Sequence, residues 1–404
     1  VTATAVEART TTFQSLRFRN FRLFFVGQLI SQVGNWLTLV AQSLLVLKLT
    51  DSGVAVGVLA ACQFLPVLLF GVWTGLVADR CNKRTLLLVV QTFAMVQSFA
   101  LSTLAFMDHP PVVALYVIAL GGGFATAFDN PARRAFVVEM VPTESVQNAV
   151  SLNSALMTGA RIIGPALAGL LIATVGYGWC FLLDGVSYLA VLAGLWMMRP
   201  AELNPSTPAP RSNGQIRAGL RYARSMPELW VPLTMMTIVG TFAFNFTVVM
   251  PLFVKRSLHG SDTTFTLIYS FTSIGSLAAA LFTARRSRAT VRHVVVGAAG
   301  FGVALLAFAA SPGLWAAFPL ALGVGFTSIL FMTASTAIVQ MRADPAMRGR
   351  VLALQAIVFL GTTPIGGPTL GWVCERFGAR VGFVVGGVAC LVAAAWGYRA
   401  THRG

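Results

Sequence analysis

Apolar runs of ~18–25 residues, each long enough to cross a ~30 Å hydrocarbon core, follow one another along this chain with short polar breaks between them. They fall near residues 21–47, 54–76, 84–106, 112–131, 152–174, 179–198, 229–253, 263–283, 292–310, 314–338, 351–373 and 380–398. A segment crossing lipid must satisfy its own backbone, so runs of this length predict helices. The expected fold class is an all-α membrane protein with twelve transmembrane helices. Composition agrees, with 56% hydrophobic and 10% charged residues, where soluble domains carry about a quarter charged.

The runs come in two sets. Residues 119–124 read ALGGGF and 321–326 read ALGVGF, an offset of 202 in a chain of 404. Val137-Val138-Glu139-Met140 is echoed by Ile338-Val339-Gln340-Met341, and Gly164-Pro165-Ala166-Leu167 by Gly367-Pro368-Thr369-Leu370. Landmarks repeated in order predict two pseudo-symmetric six-helix bundles, 1–198 and 229–404. Such halves face each other across a central pathway, and rocking opens it to alternate sides. The linker, 199–228, begins with Pro200, Pro205, Pro208 and Pro210. Ile216, Leu220 and Tyr222 then alternate with Arg217, Arg221 and Arg224, predicting a short basic amphipathic helix on the inner membrane surface.

Charge orients the chain. With both termini cytoplasmic, 23 of the 29 Lys and Arg residues lie inside. Lys48, Lys255, Arg256, Arg376 and Arg380 lie outside, and Arg161 falls within a helix. The bias predicts a multi-pass protein of the cell (inner) membrane with cytoplasmic termini and linker. It also accounts for the net charge of +16 through anionic lipid headgroups, with no call for nucleic acid. Arg17, Arg19 and Arg22 precede the first run without a small-residue cleavage site, so that helix is expected to remain as an anchor.

Polar residues inside the spans are candidate functional positions. Gln28, Ser31, Gln32, Asn35, Thr38 and Gln42 step by three or four along helix 1, and Thr234, Thr237, Thr241 and Asn245 do so along helix 7. Each series occupies one face, which in lipid must turn to protein or water. The two stripes are expected to line a shared central cavity, with inter-helix hydrogen bonding as the alternative. Arg161 lies about 14 Å into helix 5 at 1.5 Å per residue, where a charge marks a functional site by default. Asp129, near the cytoplasmic end of helix 4, is expected at comparable depth and could pair with it. Asp184 is expected about one turn into helix 6 from the outside, too shallow for that contact.

Several chemistries are missing. Lys48, Lys83 and Lys255 sit in no phosphate-binding loop, and neither H-E-x-x-H nor G-x-S-x-G occurs. The five cysteines show no metal spacing. Free thiols fit best, although a Cys180–Cys374 bridge on the outer face stays open. The four histidines fall in or near loops. The reading is therefore no enzyme, no cofactor and no metal, with energy from a gradient and Asp129 or Asp184 as proton carrier.

One loop is more specific. Gly75-Leu76-Val77-Ala78-Asp79-Arg80-Cys81-Asn82-Lys83-Arg84 resembles the signature loop between helices 2 and 3 of the major facilitator superfamily. Arg17-Phe18-Arg19-Asn20-Phe21-Arg22, Leu49-Thr50-Asp51-Ser52 and Asn130-Pro131-Ala132-Arg133 resemble its drug and siderophore exporter branch, which includes macrolide-efflux and enterobactin-exporter-like proteins. The resemblance implies that Gly75 permits close packing and that Asp79 caps a helix of the opposite half. Arg80 then pairs nearby, and the loop, with Lys83 and Arg84, acts as a conformational latch. The bland alternative makes the basic residues topology charges. The second copy, Ala284-Arg285-Arg286-Ser287-Arg288, lacks the acid. Gly164, Pro165 and Gly169 partly match the family's antiporter motif, with Ala168 in a glycine position; the match points to export, or to helix packing alone.

The expected function is proton-coupled efflux of amphipathic small molecules, drug or siderophore, by a monomer using alternating access. Metabolite uptake and a non-transporting receptor or scaffold are the alternatives.

Overall fold

The computed structural model describes residues 13–204, 215–284 and 290–402. Arg9, Arg211, Arg285, Arg286, Arg288 and Arg403 of the charge pattern, and Pro205, Pro208 and Pro210 of the linker, lie outside the described residues. The first half comprises α1 (Arg19–Thr50), α2 (Gly53–Arg80), α3 (Lys83–Ala105), α4 (Val112–Glu139), α5 (Val146–Thr174) and α6 (Tyr177–Trp196). After the linker helix α7 (Gln215–Ser225) come α8 (Pro227–Phe242), α9 (Phe246–Leu252), α10 (Asp262–Ala284) and α11 (Val291–Ala309). The chain continues through α12 (Leu314–Arg342), α13 (Pro345–Leu360), α14 (Thr363–Phe377) and α15 (Ala379–His402). Among the described residues, twelve segments are long and apolar enough to span a membrane.

Local chemistry sets the turns. Asp51, in the left-handed region at φ 44°, ends α1, and the Ser52 side chain accepts from the Ala55 N–H to start α2. The repeat is visible in the backbone. Gly176 ends the α5–α6 turn at φ 94° and Gly378 the α14–α15 turn at φ 95°, positions that are again 202 residues apart and need a residue without a Cβ.

Helices 7 and 11 are not the continuous rods expected. Helix 7 breaks between α8 and α9, where the Asn245 amide donates to the Thr241 carbonyl at 2.7 Å and competes with the backbone ladder. Helix 11 breaks at Gly361-Thr362, ahead of Pro364, which suits the first turn of a new helix and not the interior of an old one.

The halves meet along two seams of different chemistry. Along α2 and α14 the seam is glycine: a Cβ at Gly57 would stand 2.5 Å from the Gly367 carbonyl oxygen, and one at Gly53 2.6 Å from that of Gly371. Along α5 and α10 it is hydroxyl. Thr263 donates to the Gly169 carbonyl at 3.3 Å and Ser270 to that of Ile162 at 3.0 Å. On the face away from the N-terminus, polar links close the gap. Arg256 pairs with Asp51 at 3.1 Å, Glu375 accepts from the Ser52 hydroxyl (2.9 Å) and the Val54 N–H (3.1 Å), and the Tyr177 hydroxyl donates to Asp262. On the near face a cleft of about 220 Å³ opens between α2, α4 and α13.

The amphipathic linker helix forms, but it docks on protein. Ala223 is buried, Gly219 packs on Arg350 and Leu354 of α13, and the Tyr222 hydroxyl accepts from the Asp344 N–H at 3.0 Å. The contact with α13 runs through Gly219, Tyr222 and Ala223, while Leu220 stays exposed.

Candidate functional site

A cavity of about 270 Å³ lies within the first half, bounded by α1, α2, α3, α4, α5 and α6. The helix 1 stripe supplies one wall. Gln42 donates to the Leu115 carbonyl at 3.3 Å and accepts from Gln63 at 2.9 Å. Asn35 accepts from the Tyr188 hydroxyl at 2.8 Å, and Gln32 donates to Gln28 at 3.0 Å. Long amide side chains reach neighbouring helices, and that brings the stripe together.

Two carboxylates face this region. Asp129 pairs with Arg133 at 3.2 Å and accepts from Gln91 at 2.8 Å, while Arg133 also donates to Gln28 at 3.3 Å. The expected Asp129–Arg161 pair is therefore not made: Arg133, one turn along the same helix, is nearer and satisfies the acid first. Asp184 is not shallow either. It is 1% exposed, and its Oδ2 accepts from the Thr38 hydroxyl at 2.6 Å and the Ser98 hydroxyl at 2.8 Å. Its Oδ1 has no partner among the described residues and packs on Gly34, where a Cβ would stand 2.5 Å away. The helix begins at Tyr177, two residues before the predicted start, which carries Asp184 deeper.

The helix 7 stripe does not join this cavity. Thr237 donates to the Leu233 carbonyl (2.9 Å) and Thr241 to that of Thr237 (2.7 Å), while Thr234 Oγ1 is buried without a partner among the described residues. The hydroxyls of Thr237 and Thr241 satisfy themselves on the preceding turn. Phe244, Phe246, Phe301 and Phe359 cluster there instead, with Phe244 centred 5.1 Å from Phe301 and 5.0 Å from Phe359.

Arg161 crosses the hydroxyl seam, donating to Ser276 of α10 at 2.6 Å, and pairs with no carboxylate among the described residues. The glycines of the antiporter-like motif serve close approach. Gly164 packs on Trp36 and on the Val33 carbonyl of α1, and Gly169 on Thr263 and Thr266 of α10. Pro165 is buried in an unbroken α5.

The signature loop is tied mainly to its own half. Lys83 pairs with Glu139 at the end of α4 (2.8 Å), and both are nearly buried. Arg84 donates to the carbonyls of Leu195 (2.7 Å) and Trp196 (3.2 Å), where a cation complements the end of α6. Asp79 and Arg80 are exposed, and no capping bond from Asp79 to the opposite half is present among the described residues. Gly75 packs against nothing: a Cβ there would meet no atom within 4 Å. Both differences follow from the near-face cleft, which separates α2 from α13. All five cysteines are free, and Cys180 and Cys374 are both buried. Sequence reasoning missed Gln63, Gln97 and Glu139, and took Arg133 as a loop charge and part of the exporter-branch resemblance but not as the partner of Asp129; the Asp129/Arg133 spacing of four was the available signal.

The architecture matches a solved bacterial homolog of the human lysosomal transporter Spinster, in an inward-facing and unoccupied conformation, with TM-score 0.77 at 15% identity over 95% of this chain and 97% of that one. That likeness speaks for the fold. In sequence, the chain is 23% identical to the staphyloferrin A transporter of Staphylococcus aureus, over 92% of this chain and 93% of the relative. It is 20% identical to macrolide efflux protein A of Streptococcus pyogenes, over 93% and 95%. Residues 10–403 match the family described as transmembrane secretion effector. The twelve spans and this match make the protein a multi-pass membrane transporter, and the chain belongs to the transmembrane secretion effector family of the major facilitator superfamily.

Proposed function

We propose that this transporter exports amphipathic small molecules in exchange for protons, with both termini and the linker cytoplasmic. The observation that carries the reading is Asp184. Its carboxyl sits at the junction of α1, α3 and α6, held by two hydroxyls, with no cation beside it among the described residues. A buried carboxyl without a counter-charge takes and releases a proton as its surroundings change. Asp129, already paired with Arg133, is the second candidate, released when that pair parts. Arg161, at the seam between the halves, senses their relative position. The closed far face and cleft near face support an alternating-access cycle. Efflux draws support from the macrolide efflux relative.

Drug-susceptibility and secretion profiling of a deletion strain identifies the cargo. Efflux of that cargo is then followed in loaded cells with and without a protonophore, for wild type, Asp184→Asn and Asp129→Asn at equal protein level. Protonophore-sensitive efflux that Asp184→Asn abolishes is expected. Efflux indifferent to the protonophore, or retained in full by both variants, overturns the proton mechanism. Orientation is tested separately in a cysteine-free background: an impermeant thiol reagent outside the cell should reach Ser261→Cys and miss Ser212→Cys.

A further inference from the structure

The first-half cavity and the near-face cleft share a wall. Thr126 and Asn130, one turn apart on α4, line both. Their chemistries differ sharply. In the cavity the charged groups are engaged or closed off: Asp129 pairs with Arg133 (3.2 Å), Asp184 Oδ2 accepts from the hydroxyls of Thr38 (2.6 Å) and Ser98 (2.8 Å), and Asp184 Oδ1, unpartnered among the described residues, is buried against Gly34. The amides are not. Gln63 uses its nitrogen on Gln42 and Gln32 uses its own on Gln28, which leaves an oxygen of each without a protein partner among the described residues. Gln97 lies over Gly122 and makes no hydrogen bond among the described residues. The cleft, by contrast, is walled by Gly71, Ala127, Ala353, Ala356 and Ile357, small and apolar.

Size argues for a divided ligand. The cavity holds about 270 Å³, below the ~300–1,000 Å³ of a site enclosing a whole drug-sized molecule, so it suits one end of such a molecule. Charge argues for a neutral end. An ammonium or carboxylate there would find Asp129 and Arg133 already paired and the free Oδ1 of Asp184 closed off against Gly34, and would be buried without a partner, which is costly. Amides, which offer both donors and acceptors, suit hydroxyl or amide groups.

The geometry points to a two-part site for a neutral amphipathic molecule, its hydroxyl- or amide-bearing head on Gln32, Gln63 and Gln97 and its apolar tail in the cleft between α2, α4 and α13. This rests on the transport reading and adds the head-group chemistry to it.

The test uses the full chain in nanodiscs, with empty nanodiscs as the reference, and three probes sharing one tail: decyl glucoside, decyltrimethylammonium and decanoate. The glucoside should bind about ten-fold more tightly than either charged probe, as expected for one or two added hydrogen bonds. Gln63→Leu and Gln97→Leu should remove that preference while binding of the charged probes stays unchanged. Ala356→Trp should weaken decyl glucoside and spare hexyl glucoside. Gln97→Glu, which keeps the side-chain shape, should move the preference towards the ammonium probe. Equal binding of all three probes, a preference for a charged head, or a glucoside preference untouched by the glutamine substitutions would each overturn the assignment. Binding is read without any gradient, so its failure leaves proton-driven export standing, and a failed efflux assay leaves this site standing.

Discussion

Helix 1 and helix 7 occupy equivalent places in the repeat and both carry a polar stripe, yet the first-half cavity is lined by the stripe of helix 1 and not by that of helix 7. At the repeat offset of 202, Phe244 stands where Gln42 stands in the first half. Gln42 bridges α4 and α2; Phe244 fills its space with Phe301 and Phe359. The helix 7 hydroxyls of Thr237 and Thr241 bond to their own backbone. Side-chain length makes the difference. An amide on two or more methylenes reaches the next helix, whereas a threonine hydroxyl reaches the carbonyl one turn back. The first half thus presents a polar recognition surface, and the second presents an apolar wall with two hinged helices.

The largest test of that contrast is Arg133→Met. The guanidinium neutralises Asp129 and holds Gln28, and its removal should cost about 3–5 kcal/mol, the usual penalty for breaking a buried pair from one side. Thermal unfolding of the purified protein measures it. The double variant Arg133→Met/Asp129→Asn should recover much of the loss, because no uncompensated charge remains. If the single variant is as stable as wild type, the polar centre of the first half is not an integrated network.

Next in size is a matched pair of deletions. Gln42→Leu leaves the Gln63 amide without its partner, at about 1–3 kcal/mol for a group left unsatisfied. Transport should fall about ten-fold or more by the same principle. Thr241→Val removes a hydroxyl whose acceptor is a helical carbonyl and should leave transport near wild type. Equal losses at the two sites would mean that both stripes serve the pathway and that the asymmetry described above is not functional.

How much of this was legible in the sequence follows from which interactions are local. The spans were legible because lipid forces backbone self-satisfaction, and Gly176 and Gly378 show how faithfully the repeat was written. The polar face of helix 1 was legible from spacing. The helix 7 stripe misled because spacing reports the face and not the reach of the side chain. Arg161 was singled out as a charge within a helix and is half-buried; its neighbour Ser276 lies 115 residues away, across the seam, which no local pattern encodes. The break at Gly361-Thr362 could have been anticipated from Pro364. The break at 243–245 depends on a competing bond from Asn245, which sequence reasoning had assigned to a cavity wall.

The smallest expected effect on stability, and the most informative about motion, concerns the two copies of the loop. The first half has Asp79, exposed beside the open cleft, while the second copy has no acid. Lys83 and Arg84 already tie the first loop to the ends of α4 and α6, so Asp79 is free to act between halves when the cleft closes. Asp79→Asn should therefore leave thermal stability unchanged in this conformation. Transport should still fall several-fold, since a carboxylate at a helix amino end contributes about 0.3–1 kcal/mol when exposed and up to about 2 when partly buried. Substituting Lys83 instead should lower stability, because it breaks the buried pair with Glu139. A spin-label distance between α2 and α13, measured in both variants, separates the two roles. Asp79→Asn should shift the population towards the separated arrangement with the fold intact, and Lys83→Met should broaden the first half itself. Should Asp79→Asn leave both the distance distribution and transport as in wild type, this aspartate takes no part in closing the near face, and the contrast between the loop copies loses its functional meaning.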